Sequence, residues 1–227
     1  MVRNKMFSML SLFVVLTFAS CSDSIVSKAN HEFSEGKKSF SNQYNTANLF
    51  AQFPDKLTKD CLQMYSSPPS RRGTKYTGYL YLICPLDKPG TEIGNVLNGK
   101  ALYSSSYKET ENIIINLSNL RQNVFPEAKC NQWFANKYPI PYFESFDFGL
   151  GEKEVKKTVD GELHYNYTHT IPNDLQVYVI ASESGNFWKE DCNEKRPASL
   201  KEWQNGYSRG IAISEKENMI VYWTMIW

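Results

Sequence analysis

The sequence predicts an α+β fold: a mixed or antiparallel sheet with a C-terminal β-hairpin and a few short helices packed on it. Three observations predict it. Tyr76–Cys84 alternates with period two, Tyr79, Tyr81 and Ile83 on one face against Gly78, Leu80, Leu82 and Cys84 on the other. Tyr207–Ser214 and Met219–Trp227 read as two strands joined by the polar turn Glu215-Lys216-Glu217-Asn218. Between the strand-like stretches, apolar residues return at helical spacing.

In order along the chain, residues 44–65 read as helical. Tyr44, Ala47 and Phe50 share a face, and Leu57, Cys61, Met64 and Tyr65 follow after Pro54-Asp55. Pro68-Pro69 stop that pattern, and Pro85 and Pro89-Gly90 stop the Tyr76–Cys84 strand. Glu92–Leu102 carries no clear period, and Asn98-Gly99 reads as a turn. Glu111–Leu117 reads as a buried strand. Beyond it, Ser118 suits a helix cap and Pro126 a first helical position. Cys130, Trp133 and Phe134 then form an apolar stripe, closed by Pro139 and Pro141.

Asp160-Gly161 predicts a hairpin turn between Val155–Val159 and Leu163–Tyr167. Leu175–Ala181 is a strand with Leu175, Val177 and Val179 opposite Tyr178 and Ile180. Ser199–Gly206 reads as a short capped helix burying Leu200 and Trp203. In the last strand Met219, Val221, Trp223, Met225 and Trp227 share one face, and Ile220, Tyr222, Thr224 and Ile226 the other. Both faces are apolar, so this strand is expected at the centre of the sheet, covered on both sides.

The N-terminus is of another kind. Arg3 and Lys5 precede an apolar run over residues 6–19, too short to span ~30 Å of hydrocarbon comfortably. A basic start, a short apolar run and small residues before a cut mark a signal peptide over residues 1–20. Ala19-Ser20-Cys21 resembles the bacterial lipobox, with Phe18 where leucine is commoner. The resemblance implies that Cys21 is lipidated, that cleavage falls before it, and that its new amino group is acylated. Residues 21–40 are polar and poor in large apolar groups, which predicts a flexible tether. A single globular domain is then expected over residues 41–227.

Removal of residues 1–20 takes away two of the 25 basic residues and no acid. The mature chain keeps 23 basic and 24 acidic residues, near −1, so no strong field draws it to nucleic acid. With Cys21 assigned to lipid, Cys61, Cys84, Cys130 and Cys192 remain as candidate disulfide partners in an exported chain. Nearness in sequence favours Cys61 with Cys84, leaving Cys130 with Cys192. No Cys-x-x-Cys occurs, and no cysteine stands at ligand spacing from a histidine.

Candidate chemistry is sparse. His31 lies in the expected tether; His164 and His169, five apart, would point to opposite faces of a strand. Glu162 and Asp174 are nearby acids without a paired arrangement. There is no nucleophile elbow or phosphate loop, and Gly149-Leu150-Gly151 lacks the third glycine of a dinucleotide site. No catalytic residue, metal site or cofactor is therefore assigned. The 14 Tyr and 5 Trp exceed background, which raises glycan stacking beside ordinary core use.

The chain from Cys21 resembles uncharacterised envelope lipoproteins of Bacteroidetes-type bacteria. The stretches Gly206–Lys216 and Val221-Tyr222-Trp223 are similar to a recurring ending of such proteins. Asp23-Ser24-Ile25 resembles their short O-glycosylation sequon, and Ser22 after the cysteine favours the outer membrane. The resemblance implies a protein held to the membrane through lipid on Cys21, at the outer membrane and facing the periplasm. Its expected function is a non-catalytic binding or structural module with an unidentified glycan or protein ligand. The alternatives are a glycan- or peptide-binding accessory protein, an extracytoplasmic enzyme of unrecognised type, and an immunity lipoprotein.

Overall fold

A computed structural model describes residues 24–45, 48–61, 63–67, 78–108, 113–115, 138–159, 162–189 and 202–227. It begins with a helix, α1, over residues 24–43. The strands are β1 (Gln63–Ser67), β2 (Gly78–Pro85), β3 (Tyr103–Ser106), β4 (Ile113–Ile115), β5 (Pro139–Pro141), β6 (Glu152–Val159), β7 (Glu162–His169), β8 (Gln176–Ser184), β9 (Gly206–Ser214) and β10 (Met219–Ile226). A second helix, α2, spans Gly90–Asn98. The architecture is α+β: a six-stranded sheet in the order β1-β2-β10-β9-β8-β3, antiparallel throughout.

As expected, β10 is interior, pairing β2 over eight residues and β9 over eight more. Its alternation sorts the molecule into two cores. Val221, Trp223, Met225 and Trp227 join Val177, Val179, Phe143 and Phe146 on one face. Ile220 and Ile226 join Leu80, Leu82, Cys84 and Ile211 on the other. A strand apolar on both faces leaves neither to water, which is why β10 cannot be an edge. Gly210 makes the large indole possible. A Cβ there would lie 2.5 Å from the Trp223 ring and would collide with the Tyr178 carbonyl oxygen.

The β9–β10 hairpin turns where Glu215–Asn218 was expected to turn, with Asn218 at φ 50°. β6 and β7 pair antiparallel up to Val159 opposite Glu162 as a separate two-stranded sheet, and the expected turn at Asp160-Gly161 lies outside the described residues. β8 takes the expected facing, with Leu175, Val177 and Val179 in one core and Tyr178 in the other. β4 occupies part of the expected buried strand and pairs in parallel with β5. Trp203 is buried in a short helical turn before Gly206. The helix expected after Pro126, with Cys130, lies outside the described residues, as does Cys192.

Two expectations are corrected. The flexible tether over residues 21–40 is helical from residue 24, and that helix is docked. Phe33 and Phe40 are 1% and 2% exposed, and Tyr44, just past the helix, is 2% exposed. Val26, Phe33 and Phe40 recur every seven residues, two turns of a helix, so one stripe reaches the sheet although the composition is polar. Asn30 fixes the pairing: its Nδ2 donates to the Leu57 carbonyl at 3.1 Å and its Oδ1 accepts from the Leu57 N–H at 2.7 Å. The helix expected over residues 44–65 is absent from the described part of that span. Residues 48–61 form turns, with Asn48 at φ 63°, and β1 begins at Gln63. Pro54 and the left-handed Asn48 break the helical path. Leu57 and Cys61 are buried by tertiary contact instead.

Candidate functional site

The covalent feature foreseen in the cysteines is present: Cys61 and Cys84 form a disulfide, Cα atoms 4.3 Å apart. β2 carries Cys84 on the aliphatic face with Leu80 and Leu82, and the turns after α1 deliver Cys61 to it. Both cysteines are buried. The bond ties the segment that covers α1's side of the sheet to β2.

The most functional-looking surface is on that same side. β9 alternates so that Arg209 shares a face with Tyr207 and Ile211. One guanidinium nitrogen donates to Gln52 Oε1 at 2.8 Å, and Gln52 Nε2 in turn donates to the Trp223 carbonyl at 2.8 Å. Among the described residues, the neutral Gln52 is the hydrogen-bond partner the guanidinium has. Burial lowers the Arg209 pKa, offset in part by the Tyr207 hydroxyl. Phe50, Ile180, Tyr207 and Tyr222 are half-buried beside the aliphatic core on this face. On β10, opposite Arg209, the Thr224 hydroxyl is buried and has no hydrogen-bond partner among the described residues. A half-buried guanidinium fork that engages a neutral amide at one nitrogen can donate to a carboxylate in bidentate geometry.

Sequence reading did not single out Arg209. The visible signal was a lone charge on the alternating strand Gly206–Ser214, at a position whose neighbours two residues away are apolar or aromatic. A separate cavity of about 360 Å³ lies between the first turn of α2 and the β9–β10 turn, lined by Asp87, Lys88, Thr91, Glu215 and Asn218 among others.

The other polar residues are dispersed. His31 lies on the exposed side of α1. His169, at the end of β7, has Nδ1 3.8 Å from Asp147 and 3.9 Å from Glu152, both beyond hydrogen-bond length. Glu162 and His164 are on β6–β7 positions whose side chains are not described. Asp174 is structural: its carboxylate accepts from the Ser214 hydroxyl at 2.6 Å and the Lys216 N–H at 3.0 Å, bracing the last hairpin. Tyr107 donates to Glu144 at 2.5 Å; burial first, then the Glu144 charge, pushes its phenol up. Trp188, Trp203, Trp223 and Trp227 are all buried, so none of these four offers a stacking platform. Trp133 lies outside the described residues. Among the described residues no group of three metal-ligating side chains converges, and no helix is long and apolar enough to cross a membrane.

The chain has no match among family models, curated proteins or solved structures.

Proposed function

We propose that this chain is a lipid-anchored protein of a bacterial cell envelope, acylated on Cys21 after removal of residues 1–20, and that it serves as a non-catalytic binding or structural module. The observation that carries the exported reading is the buried Cys61–Cys84 disulfide, a bond that persists in oxidising compartments and is rare in the cytosol. The basic start, the short apolar run and Ala19-Ser20-Cys21 supply the anchor. Placement at the outer membrane facing the periplasm is part of the same proposal and follows from Ser22 and the single acid after the cysteine.

Metabolic labelling with palmitate, followed by fractionation of wild type and Cys21→Ala, tests it. Labelled wild type in the membrane and unlabelled variant in the soluble fraction are the expected results. A variant that stays membrane-bound without detergent would refute the lipid anchor.

A second reading rests on Arg209. Its half-buried guanidinium beside Phe50, Ile180, Tyr207 and Tyr222 suits a ligand carrying a carboxylate and an apolar group. The probe is N-acetylphenylalaninate, with its uncharged amide as control. Chemical-shift changes at Tyr207 and Tyr222 with the acid, absent with the amide and in Arg209→Gln, are expected. Equal response to acid and amide would remove the reading.

A further inference from the structure

The correction of the tether changes how an anchored domain must sit. The described part of α1 begins at Ser24, three residues after Cys21. Three residues span at most about 10–11 Å when fully extended. The headgroup layer on one side of a bilayer is roughly 5–8 Å deep. If Cys21 carries acyl chains at the hydrocarbon boundary, the first turn of α1 lies in or against the headgroup layer. No slack remains for the domain to stand off.

The direction of α1 then fixes which end of the sheet faces the lipid. Leu80 reaches a Cβ built on Gly36 at 3.2 Å, and Phe40 reaches one built on Gly78 at 3.2 Å. Phe33 packs on Phe53, which packs on Tyr222, the partner of Leu82. The helix therefore runs antiparallel to β2. From Phe33 back to Ser24 is about 13–14 Å of helix. From Leu82 forward to Leu86 is about 13 Å of strand. The first turn of α1 is thus level with Leu86, whose N–H donates to the Asn218 carbonyl at 3.1 Å. The β9–β10 turn is at the membrane end, and the Ser184–Gly206 pair is at the opposite end of the sheet.

The side chain at this first turn is Ile25, 57% exposed, where other large apolar residues of α1 are turned inward. Charge at this end is mixed and slightly acidic, Lys28, Lys56, Lys59, Lys88 and Lys216 standing among Glu32, Asp55, Asp60, Asp87, Glu215 and Glu217, and physiological salt screens so small an excess beyond about 8 Å.

We propose that the domain is seated end-on on a phospholipid bilayer, with Ile25 and the first turn of α1 in the interface, the Glu215–Asn218 turn against the headgroups, and the Ser184–Gly206 end presented to solvent. This rests on the acylation of Cys21 proposed above.

The test uses the full lipidated protein in phosphatidylethanolamine–phosphatidylglycerol vesicles. A nitroxide is attached through p-acetylphenylalanine at one site per variant: Ile25, Glu217 or Ser184. Power saturation compares accessibility to oxygen and to a water-soluble nickel chelate. Position 25 should lose nickel accessibility and gain oxygen, position 217 should lose part of its nickel accessibility, and position 184 should match free solvent. Vesicle-floated protein in which positions 25 and 184 are equally nickel-accessible overturns the seating while leaving the anchor intact. Protein that neither floats nor takes palmitate label overturns the anchor, and the seating with it. A Gly/Ser insertion of about twelve residues between Ser22 and Asp23 adds ~17–21 Å of flexible reach. It should restore full nickel accessibility at position 217 without changing flotation; an unchanged signal there overturns the claim that the short link sets the seating.

Discussion

Phe40→Ala separates a docked α1 from a tether. Phe40 is 2% exposed, lies 5.2 Å from the Tyr44 ring and 5.7 Å from the Phe50 ring, and touches the position above Gly78. Truncating a buried Phe to Ala costs about 3–5 kcal/mol through lost transfer energy and the cavity left behind. Two aromatic pairs, each contributing about 0.5–1.5 kcal/mol beyond burial, place Phe40 in the upper half of that range. For a domain of this size each kcal/mol moves Tm by about 2–4 °C, so a fall of roughly 8–20 °C is expected. The assay is urea unfolding of residues 22–227 followed by tryptophan fluorescence, with thermal melts beside it. Exposed Ser34→Ala serves as control and should stay within about 0.5 kcal/mol. A Phe40→Ala loss no larger than the control would refute docking, because a tether residue has no native contacts to lose.

Three further outcomes are expected. Gly210→Ala should cost about 1–3 kcal/mol or more, since the new methyl meets the Trp223 ring and the Tyr178 carbonyl; an unchanged urea midpoint would contradict the close approach. Removing residues 223–227 takes away Trp223, Met225 and Trp227 and should abolish the cooperative melting transition, which near-UV circular dichroism would show; a full transition in the shortened chain would refute the central placement of β10. Asp174 is raised by partial burial but brought below its usual value by hydrogen bonds from Ser214 and Lys216. A folded-state pKa below the unfolded one gives stability that is present above the ordinary aspartate range and lost as pH falls through the folded value. Melts of wild type and Asp174→Asn between neutral and acid pH should converge at the acid end, and parallel curves would remove the linkage.

The strands were legible because alternation is a local signal. Tyr79–Cys84, Leu175–Ile180 and Met219–Trp227 each state their two faces within a few residues, and the double-apolar β10 states its position as well. Cys61–Cys84 was legible from nearness in sequence. α1 was not read, because average polarity over twenty residues hides three apolar side chains spaced by sevens. Residues 44–61 misled in the opposite sense: Leu57 and Cys61 keep a helical interval by coincidence while Asn48 and Pro54 turn the chain. Arg209 was out of reach, since its environment depends on Gln52, 157 residues away in sequence.

The interior place of β10 also bears on when the chain can fold. Tyr79 pairs with Met225, so β2 waits for residues made almost 150 positions later. At ~5–20 residues per second that delay is roughly 7–30 s. Until then the sheet is split, with β2 and β9 each missing their shared neighbour and neither core closed. The sheet therefore stays open until the last residues are made, a state that passage through a secretion channel, as proposed above, would use. Folding waits for β10; in the exported chain proposed above, β10 would enter and Cys61 would meet Cys84 after translocation, under oxidising conditions.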